Sequence, residues 1–278
     1  MAIVTRFAPS PTGALHLGHA FAALTAQALG EEFLVRIEDL DAIRCKPSYT
    51  DAIFDDLHWL GLTWPQPVLY QSSRTRAYQT ALDTLTAQGL TYRCICTRTD
   101  IRAALSAPQG PDGPVYPGTC RDQDNQTGAL RLNLAKAARS TDLAFIEGGK
   151  LHRFNPAQLA QTLGDIVLFR HDAGFAYHLA VVVDDANQGV TLVTRGQDLA
   201  QSTPLHVLLQ RLLNLPTPAY HHHRLILDAK GKRLAKRDDA RALAKFRAEG
   251  ATPQDIRRMI GLQDGQSAHR PHSRQVPQ

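Results

Sequence analysis

The sequence predicts an α/β protein, and three observations carry that expectation. "IVTRF" (residues 3–7) reads as a short buried strand, "HLGHAFAALTAQAL" (16–29) as a helix and "EFLVRIEDLD" (32–41) as a second strand ending in acids, together a β-α-β unit. Much later, "VTLVTRG" (190–196) reads as a strand followed by helical spacing through "TPLHVLLQRLLNL" (203–215). Between the two passages, residues 92–128 are rich in Cys, Gly, Pro and Asp with weak periodicity, as expected of a small inserted subdomain.

The remaining elements follow in order. Helical spacing recurs at "YTDAIFDDLHWLGL" (49–62) and "SRTRAYQTALDTLTAQGL" (73–90). Regular structure resumes at "ALRLNL" (129–134), and "DIVLFRHDAGFAYHLAVVVDD" (165–185) reads as strand, turn and a second apolar segment continuing a parallel core. "RLILDAKGKRLAKRD" (224–238) reads as strand and turn, followed by two basic helical stretches. From Gln263 to Gln278 no apolar period remains, so a disordered tail is expected. There is no internal repeat.

Composition narrows the class. With 278 residues, 43% hydrophobic and 21% charged, the chain can bury a sizeable core as one large or two modest domains. No uninterrupted apolar run approaches the ~18 residues of a membrane span, and "MAIVTR" is not a signal peptide, so a cytoplasmic protein without membrane contact is expected. Cysteines at 45, 94, 96 and 120 are too few and too uneven for a secreted disulfide framework. The net charge of +5, with Arg and Lys densest from Arg224 to Arg258, suits a polyanionic partner.

The stretch "RFAPSPTGALHLGHA" (6–20) concentrates chemistry. Pro9 and Pro11 fix φ and hold the chain extended as it leaves the first strand, while Gly13 and Gly18 remove bulk so that a ligand can approach the backbone. The helix starting near Leu15 or His16 turns its N-terminal N–H groups and partial positive charge toward that ligand. His16 and His19, one turn apart, share a face and could donate to phosphate oxygens. Neither the P-loop nor the dinucleotide glycine motif occurs, so a nucleotide site here is of another kind.

These residues resemble the "HIGH" signature of class I aminoacyl-tRNA synthetases, written here His16-Leu17-Gly18-His19, and the longer string resembles the glutamyl and glutaminyl branch. The resemblance implies a Rossmann-like catalytic domain. It also places the family's second signature, a Lys-Met-Ser-Lys-Ser loop, at "RLAKR" (233–237), where Lys236 keeps the position of the second lysine while Arg233 and Ala235 depart from the pattern. By resemblance, His16, Gly18, His19 and Lys236 bind ATP, with His16, His19 and Lys236 serving the reacting phosphates. A cation beside developing negative charge is the physical requirement.

An amino-acid-activating site must hold an ammonium and a carboxylate, and strand ends are where open α/β sheets bind ligands. The resemblance assigns Arg6, Phe7, Ala8, Pro9 and Ser10 to amino-acid binding, Glu38 to the α-ammonium, and Tyr177 and Arg195 to the same pocket. Two arginines favour a dicarboxylic substrate, glutamate. Val181 stands where the family has an asparagine, and "RGQDL" (195–199) lacks its Glu-Glu-Trp.

Length, "LAVVVDD" (179–185) and "RG-x-DL" resemble a truncated branch of the family. Its members activate glutamate with ATP and Mg²⁺ without tRNA, then transfer it to the cyclopentenediol of queuosine 34 in the anticodon loop of tRNA(Asp). The chain ends soon after the second signature, so no anticodon-reading domain is expected. Competing readings are a conventional glutamyl-tRNA synthetase charging the tRNA 3′ end and a non-catalytic RNA-binding paralogue. No residue stands out as a general base.

Cys94, Cys96 and Cys120 offer three thiolates for a closed tetrahedral zinc site, with Tyr116, His152 or the run His221 to His223 open as the fourth ligand. The truncated branch carries Cys-x-Cys, Tyr, Cys, and by that resemblance Tyr116 completes a structural Zn²⁺ site. The expected organisation is residues 1–91 as the first half of the catalytic core, 92–128 as the zinc-binding insertion, 129–228 as catalytic core and acceptor-side region, 229–262 as second-signature loop and helical region, and 263–278 as tail. The expected partners are glutamate, ATP and queuosine-bearing tRNA(Asp), with the chain acting as a monomer.

Overall fold

The computed structural model describes residues 2–97, 99–100, 109–110, 113–139, 143–227 and 241–262. Strand β1 (Val4–Phe7) leads through helix α1 (Leu17–Leu29) to β2 (Glu32–Ile37), which pairs with β1 in parallel, Arg6 opposite Leu34. After α2 (Pro47–Trp59), the short β3 (Leu69–Tyr70) extends this sheet in the order β1-β2-β3, and α3 (Thr75–Ala87) follows.

Four strands follow: β4 (Thr91–Cys94) and β5 (Ala129–Leu132), which pair antiparallel, and the hairpin of β6 (Leu143–Glu147) and β7 (Lys150–Phe154). β8 (Val167–Arg170) and β9 (Gly174–Phe175) come next, then α4 (Tyr177–Asn187), β10 (Leu192–Gly196), α5 (Thr203–Leu212) and β11 (Ala219–His223). Helices α6 (Leu243–Ala248) and α7 (Pro253–Met259) end the described chain.

A second sheet has the order β10-β11-β6-β7, its first three strands parallel. It meets the first along β1 and β10: the Thr191 N–H donates to the Val4 carbonyl at 3.0 Å, and the Val4 N–H donates to Thr191 Oγ1 at 2.9 Å. From this seam the chain winds one way through β1, α1 and β2, and the other way through β10, α5 and β11. Such a reversal leaves a crevice at the carboxyl ends of the two central strands.

β2 shows why these residues form a buried strand. Phe33, Val35 and Ile37 alternate onto one face, in the cluster with Ala20, Leu24, Ile53 and Leu57 from α1 and α2. Burying each large aliphatic side chain there stabilises the fold by roughly 1.5–3 kcal/mol. Arg36 points to the other face, where α4 lies, and is fully buried. On that side Tyr78, Leu82 and Leu85 of α3 pack with Leu179 to Val182 of α4 and Leu205, Leu208 and Leu209 of α5.

Two expectations are corrected. The stretch 165–185 does not continue the parallel core: β8 and β9 join β5 and β4 in an antiparallel sheet, order β9-β8-β5-β4, and "LAVVV" is helix. A short apolar run has no period that separates a buried strand from a buried helix. The strand read at "RLIL" lies upstream, at the polar-looking "AYHHH" of β11, whose register with β10 sets Arg195 opposite His222. The tail from Gln263 lies outside the described residues, and among those described no helix is long and apolar enough to cross a membrane.

Candidate active site

A cleft of about 480 Å³ opens at the seam, at the carboxyl ends of β1 and β10. It is lined by Arg6, Phe7, Ala8, Pro9 and Ser10, by His16, Gly18 and His19, and by Glu38, Tyr177 and Arg195. Every described residue expected to hold the amino acid or the nucleotide therefore meets in one cavity. Lys236 lies outside the described residues, but the chain on both sides of it reaches the same place. Arg224, Leu225 and Ile226 line the cleft, and the Leu243 N–H donates to the Leu15 carbonyl at 2.8 Å beside His16.

The two histidines cap α1 in place of the usual hydroxyl or carboxylate residues. His16 Nδ1 accepts from the Gly18 N–H at 3.1 Å, and His19 Nδ1 accepts from the His16 N–H at 3.1 Å. With Nδ1 accepting in each neutral ring, the ring proton sits on Nε2, so both imidazoles present a donor. The ring centroids lie 3.8 Å apart. A Cβ on Gly18 would stand 3.0 Å from His16 Cε1, so glycine there leaves the imidazole its place.

Arg6 is held rigidly. Its Nε donates to Asp185 Oδ1 at 2.9 Å, Nη2 to Oδ2 at 3.3 Å and Nη1 to the Thr194 carbonyl at 3.0 Å. Asp185, at the end of α4, also accepts from Arg36 Nη1 at 2.7 Å, and Arg36 Nη2 donates to Glu38 Oε1 at 3.2 Å. Burial works to raise the Asp185 carboxyl, but Arg6 and Arg36 outweigh it and hold it below the ordinary carboxylate range. For Glu38 burial wins against Arg36 and Arg6, and its carboxyl is raised. Burial likewise raises the Tyr177 phenol, with Glu38 adding to the effect, so Tyr177 stays a neutral hydroxyl.

Arg195 is surrounded differently. Its Nε donates to His222 Nε2 at 3.2 Å, Nη1 meets His206 Nδ1 at 3.0 Å and Nη2 donates to Thr203 Oγ1 at 2.7 Å. These partners, together with Asp185 and Arg36, were missed in the sequence. The available signal was the Asp184-Asp185 pair closing a buried apolar run, since buried carboxylates require cationic or hydrogen-bonding partners. Asp184 accepts from Tyr78 Oη at 2.6 Å and from Gln71 Nε2 at 3.0 Å, tying α4 to α3.

A second cluster lies in the loop between β4 and β5. Cys94, Cys96 and Cys120 bring their sulfurs within 4.8 Å of one another, an arrangement that could hold a metal ion. Tyr116 joins them: its Oη is 3.3 Å from Cys94 Sγ and 3.6 Å from Cys96 Sγ, and Cys96 and Cys120 sulfurs are 3.5 Å apart. Tetrahedral zinc with Zn–S near 2.3 Å needs ligand separations of ~3.8 Å, so these four donors fit. His152 instead stacks on Phe145 at 5.4 Å, and His222 Nδ1 bonds Glu147 Oε1 at 2.6 Å. Burial and the thiols keep the phenol well above its ordinary value. Burial pushes Cys96 up to about 11, while at Cys120 burial is outweighed by the Tyr116 hydroxyl and the thiol falls to about 7. Gly164, at φ +66, bridges to Tyr116, and a Cβ there would stand 2.8 Å from the tyrosine backbone.

Doubly wound strands, a histidine-capped helix and a cleft with charged groups of both signs define a class of protein. The chain belongs to the family of class I tRNA synthetases (E and Q), catalytic domain, which it matches over residues 2–136 and 151–270, a family of ligases that use ATP. It is 55% identical to glutamyl-Q tRNA(Asp) synthetase of Rhodobacter capsulatus, the match covering 94% of this chain and 100% of that protein. It is 44% identical to the protein of the same name from Nocardia farcinica, covering 90% and 81%. The glutamate tRNA ligase of Elizabethkingia meningosepticum, solved in complex with its amino acid, superposes with a TM-score of 0.71 at 26% identity; the match covers 94% of this chain and 61% of that one. These similarities support a function like that of glutamyl-tRNA synthetases, with glutamate, ATP and tRNA as substrates.

Proposed function

We propose that the cleft activates glutamate with ATP to glutamyl-adenylate without tRNA, and that a hydroxyl of the cyclopentenediol of queuosine 34 of tRNA(Asp) then takes the glutamyl group as an ester, with AMP leaving. One observation carries this reading: the capped start of α1 and the amino-acid residues from β1, β2, α4 and β10 line a single cavity. Glu38 takes the α-ammonium, Arg6 and Arg195 serve carboxylate oxygens, and the Tyr177 hydroxyl orients the ligand between them. One α-carboxylate oxygen attacks the α-phosphorus of ATP and pyrophosphate leaves. His16 and His19 donate to the phosphate oxygens, and Lys236 adds a cation as charge develops on the leaving group. Positioning and charge stabilisation supply the rate enhancement.

In this reading Cys94, Cys96, Tyr116 and Cys120 hold a structural Zn²⁺, which would fasten a loop too rich in glycine and proline to build its own core. Cys120 neighbours Arg121, whose Nε donates to Asp165 Oδ2 at 2.5 Å, so the cluster is tied to the antiparallel sheet. Mg²⁺ enters with ATP as part of the substrate.

The name shared by the relatives supports the modified nucleoside as acceptor. The test has two arms. Glutamate-dependent ATP–pyrophosphate exchange is expected without any RNA, and exchange that strictly requires tRNA would overturn tRNA-independent activation. Labelled glutamate is expected on tRNA(Asp) bearing queuosine and not on the unmodified tRNA. Equal labelling of both would refute the modified-base acceptor and favour 3′-end charging.

A further inference from the structure

The two cleft arginines are anchored by opposite kinds of partner. Arg6 is clamped by a carboxylate, Asp185, which it shares with Arg36. Arg195, at the facing strand end and 6% exposed, is bonded to two imidazoles and a hydroxyl, and among the described residues no carboxylate pairs with it. An arginine has five N–H donors and no acceptor, and it stays protonated. His206 Nδ1 and His222 Nε2 must therefore present lone pairs to it.

That requirement settles the protons along the whole chain of contacts. His206 carries its hydrogen on Nε2 and donates it to His178 Nδ1, 2.9 Å away. His222 carries its hydrogen on Nδ1 and donates it to Glu147 Oε1, 2.6 Å away on the neighbouring strand. Burial keeps both rings neutral, with the Arg195 charge acting in the same direction, although Glu147 works against it at His222. Neither His206 nor His222 lines the cleft, whereas Arg195 does. Among the described residues, three of the five Arg195 N–H groups are bonded to the protein.

We propose that His206 and His222 are positioning residues that fix the Arg195 guanidinium without neutralising it, reserving its full charge for the side-chain carboxylate of the amino acid. The inference rests on reading the cleft as a glutamate site and deepens it. Carboxylate is preferred over carboxamide because a buried cation lacking a protein counter-ion gains most from an anionic ligand. Arg6, already paired with a protein carboxylate, contributes geometry more than charge.

The experiment is glutamate-dependent pyrophosphate exchange with the full chain, read as KM and kcat for glutamate and KM for ATP. Two nearly isosteric variants separate position from charge. His206→Asn keeps a neutral acceptor toward Arg195, whereas His206→Asp supplies a carboxylate there. Relative to wild type, Asp is expected to raise the glutamate KM about 10- to 100-fold with the ATP KM within about twofold, and Asn to recover most of that loss. Competition by glutamine is expected to strengthen relative to glutamate in the Asp variant only.

Glu147→Gln, at a residue 29% exposed, covers the case in which both His206 variants misfold. It removes the carboxylate that fixes the His222 tautomer, and a rise of about threefold in glutamate KM is expected. Equal KM values for the Asn and Asp variants would overturn the proposal, as would a loss confined to kcat or an unchanged KM in Glu147→Gln. No exchange from wild-type protein would instead refute the glutamate-site reading itself.

Discussion

The cleft and the thiol loop hold polar groups together in opposite ways. In the cleft the protein supplies both signs: Asp185 lies between Arg6 and Arg36, and Arg36 also reaches Glu38, so the arrangement exists before any ligand arrives. In the loop, three thiols and a phenol face one another at 3.3–3.6 Å. The first is preorganised by charge pairing, and the second, in the proposed function, would be completed by a bound dication. Breaking the first should damage the whole fold, while emptying the second should damage one region.

The largest expected effect is at the shared anion. Asp185→Asn leaves two buried guanidiniums with one carboxylate fewer, and a loss of about 3–5 kcal/mol is expected from urea unfolding. A loss below about 1 kcal/mol would show that the arginines find other partners and that the cleft is not held by this pairing.

The thiol loop should respond to ligand removal locally. Cys120→Ser and Tyr116→Phe are each expected to weaken zinc binding by at least ~100-fold, since changes outside the ligand set alone cost about 10–100-fold. Hydrogen exchange should then rise around Tyr116 and Cys120 while β1 and β10 keep their protection. If Tyr116→Phe binds zinc as tightly as wild type, the phenol is not a ligand.

Acid should act through the buried histidines. Burial lowers His206, His221, His222 and His223, so the unfolded chain takes up protons first as pH drops through about 6.5. Stability is therefore expected to be full above pH 7 and to fall below it, by up to ~1.4 kcal/mol per pH unit for each histidine kept neutral. A flat profile between pH 7 and 5.5 would contradict the buried neutral network. Asp185 adds a further loss only below its unfolded value near 4, because its folded carboxyl is held lower.

The smallest effect serves as the reference. Arg170 pairs with Asp172 at 2.5 Å, but their side chains are 41% and 67% exposed. Arg170→Ala is expected to change stability by less than about 0.5 kcal/mol in the same urea assay, and a larger change would mean that surface charges matter here as buried ones do.

Much was legible in the chain because it depends on local rules. The β1-α1-β2 unit follows from apolar runs, and the special loop from proline, glycine and histidine within a few residues. The residues lining the cleft were named from strand ends and from resemblance, and those lying among the described residues meet there. The cysteine spacing pointed to a candidate metal site, and Cys94, Cys96 and Cys120 do converge.

What stayed hidden was whatever depends on partners far apart in sequence. Asp185 looks like the end of an apolar segment, yet it sits 179 residues from the arginine it clamps. His206 reads as one polar residue in a helical stretch, and His222 as one of a histidine run offered as a zinc ligand, until β11 lies beside β10 and sets His222 against Arg195. Short-range sterics and hydrophobic period decide which segments can be helix or strand, and those are written locally. Which charge is neutralised and which is left for a ligand depends on distances between elements, and only the packed structure sets them.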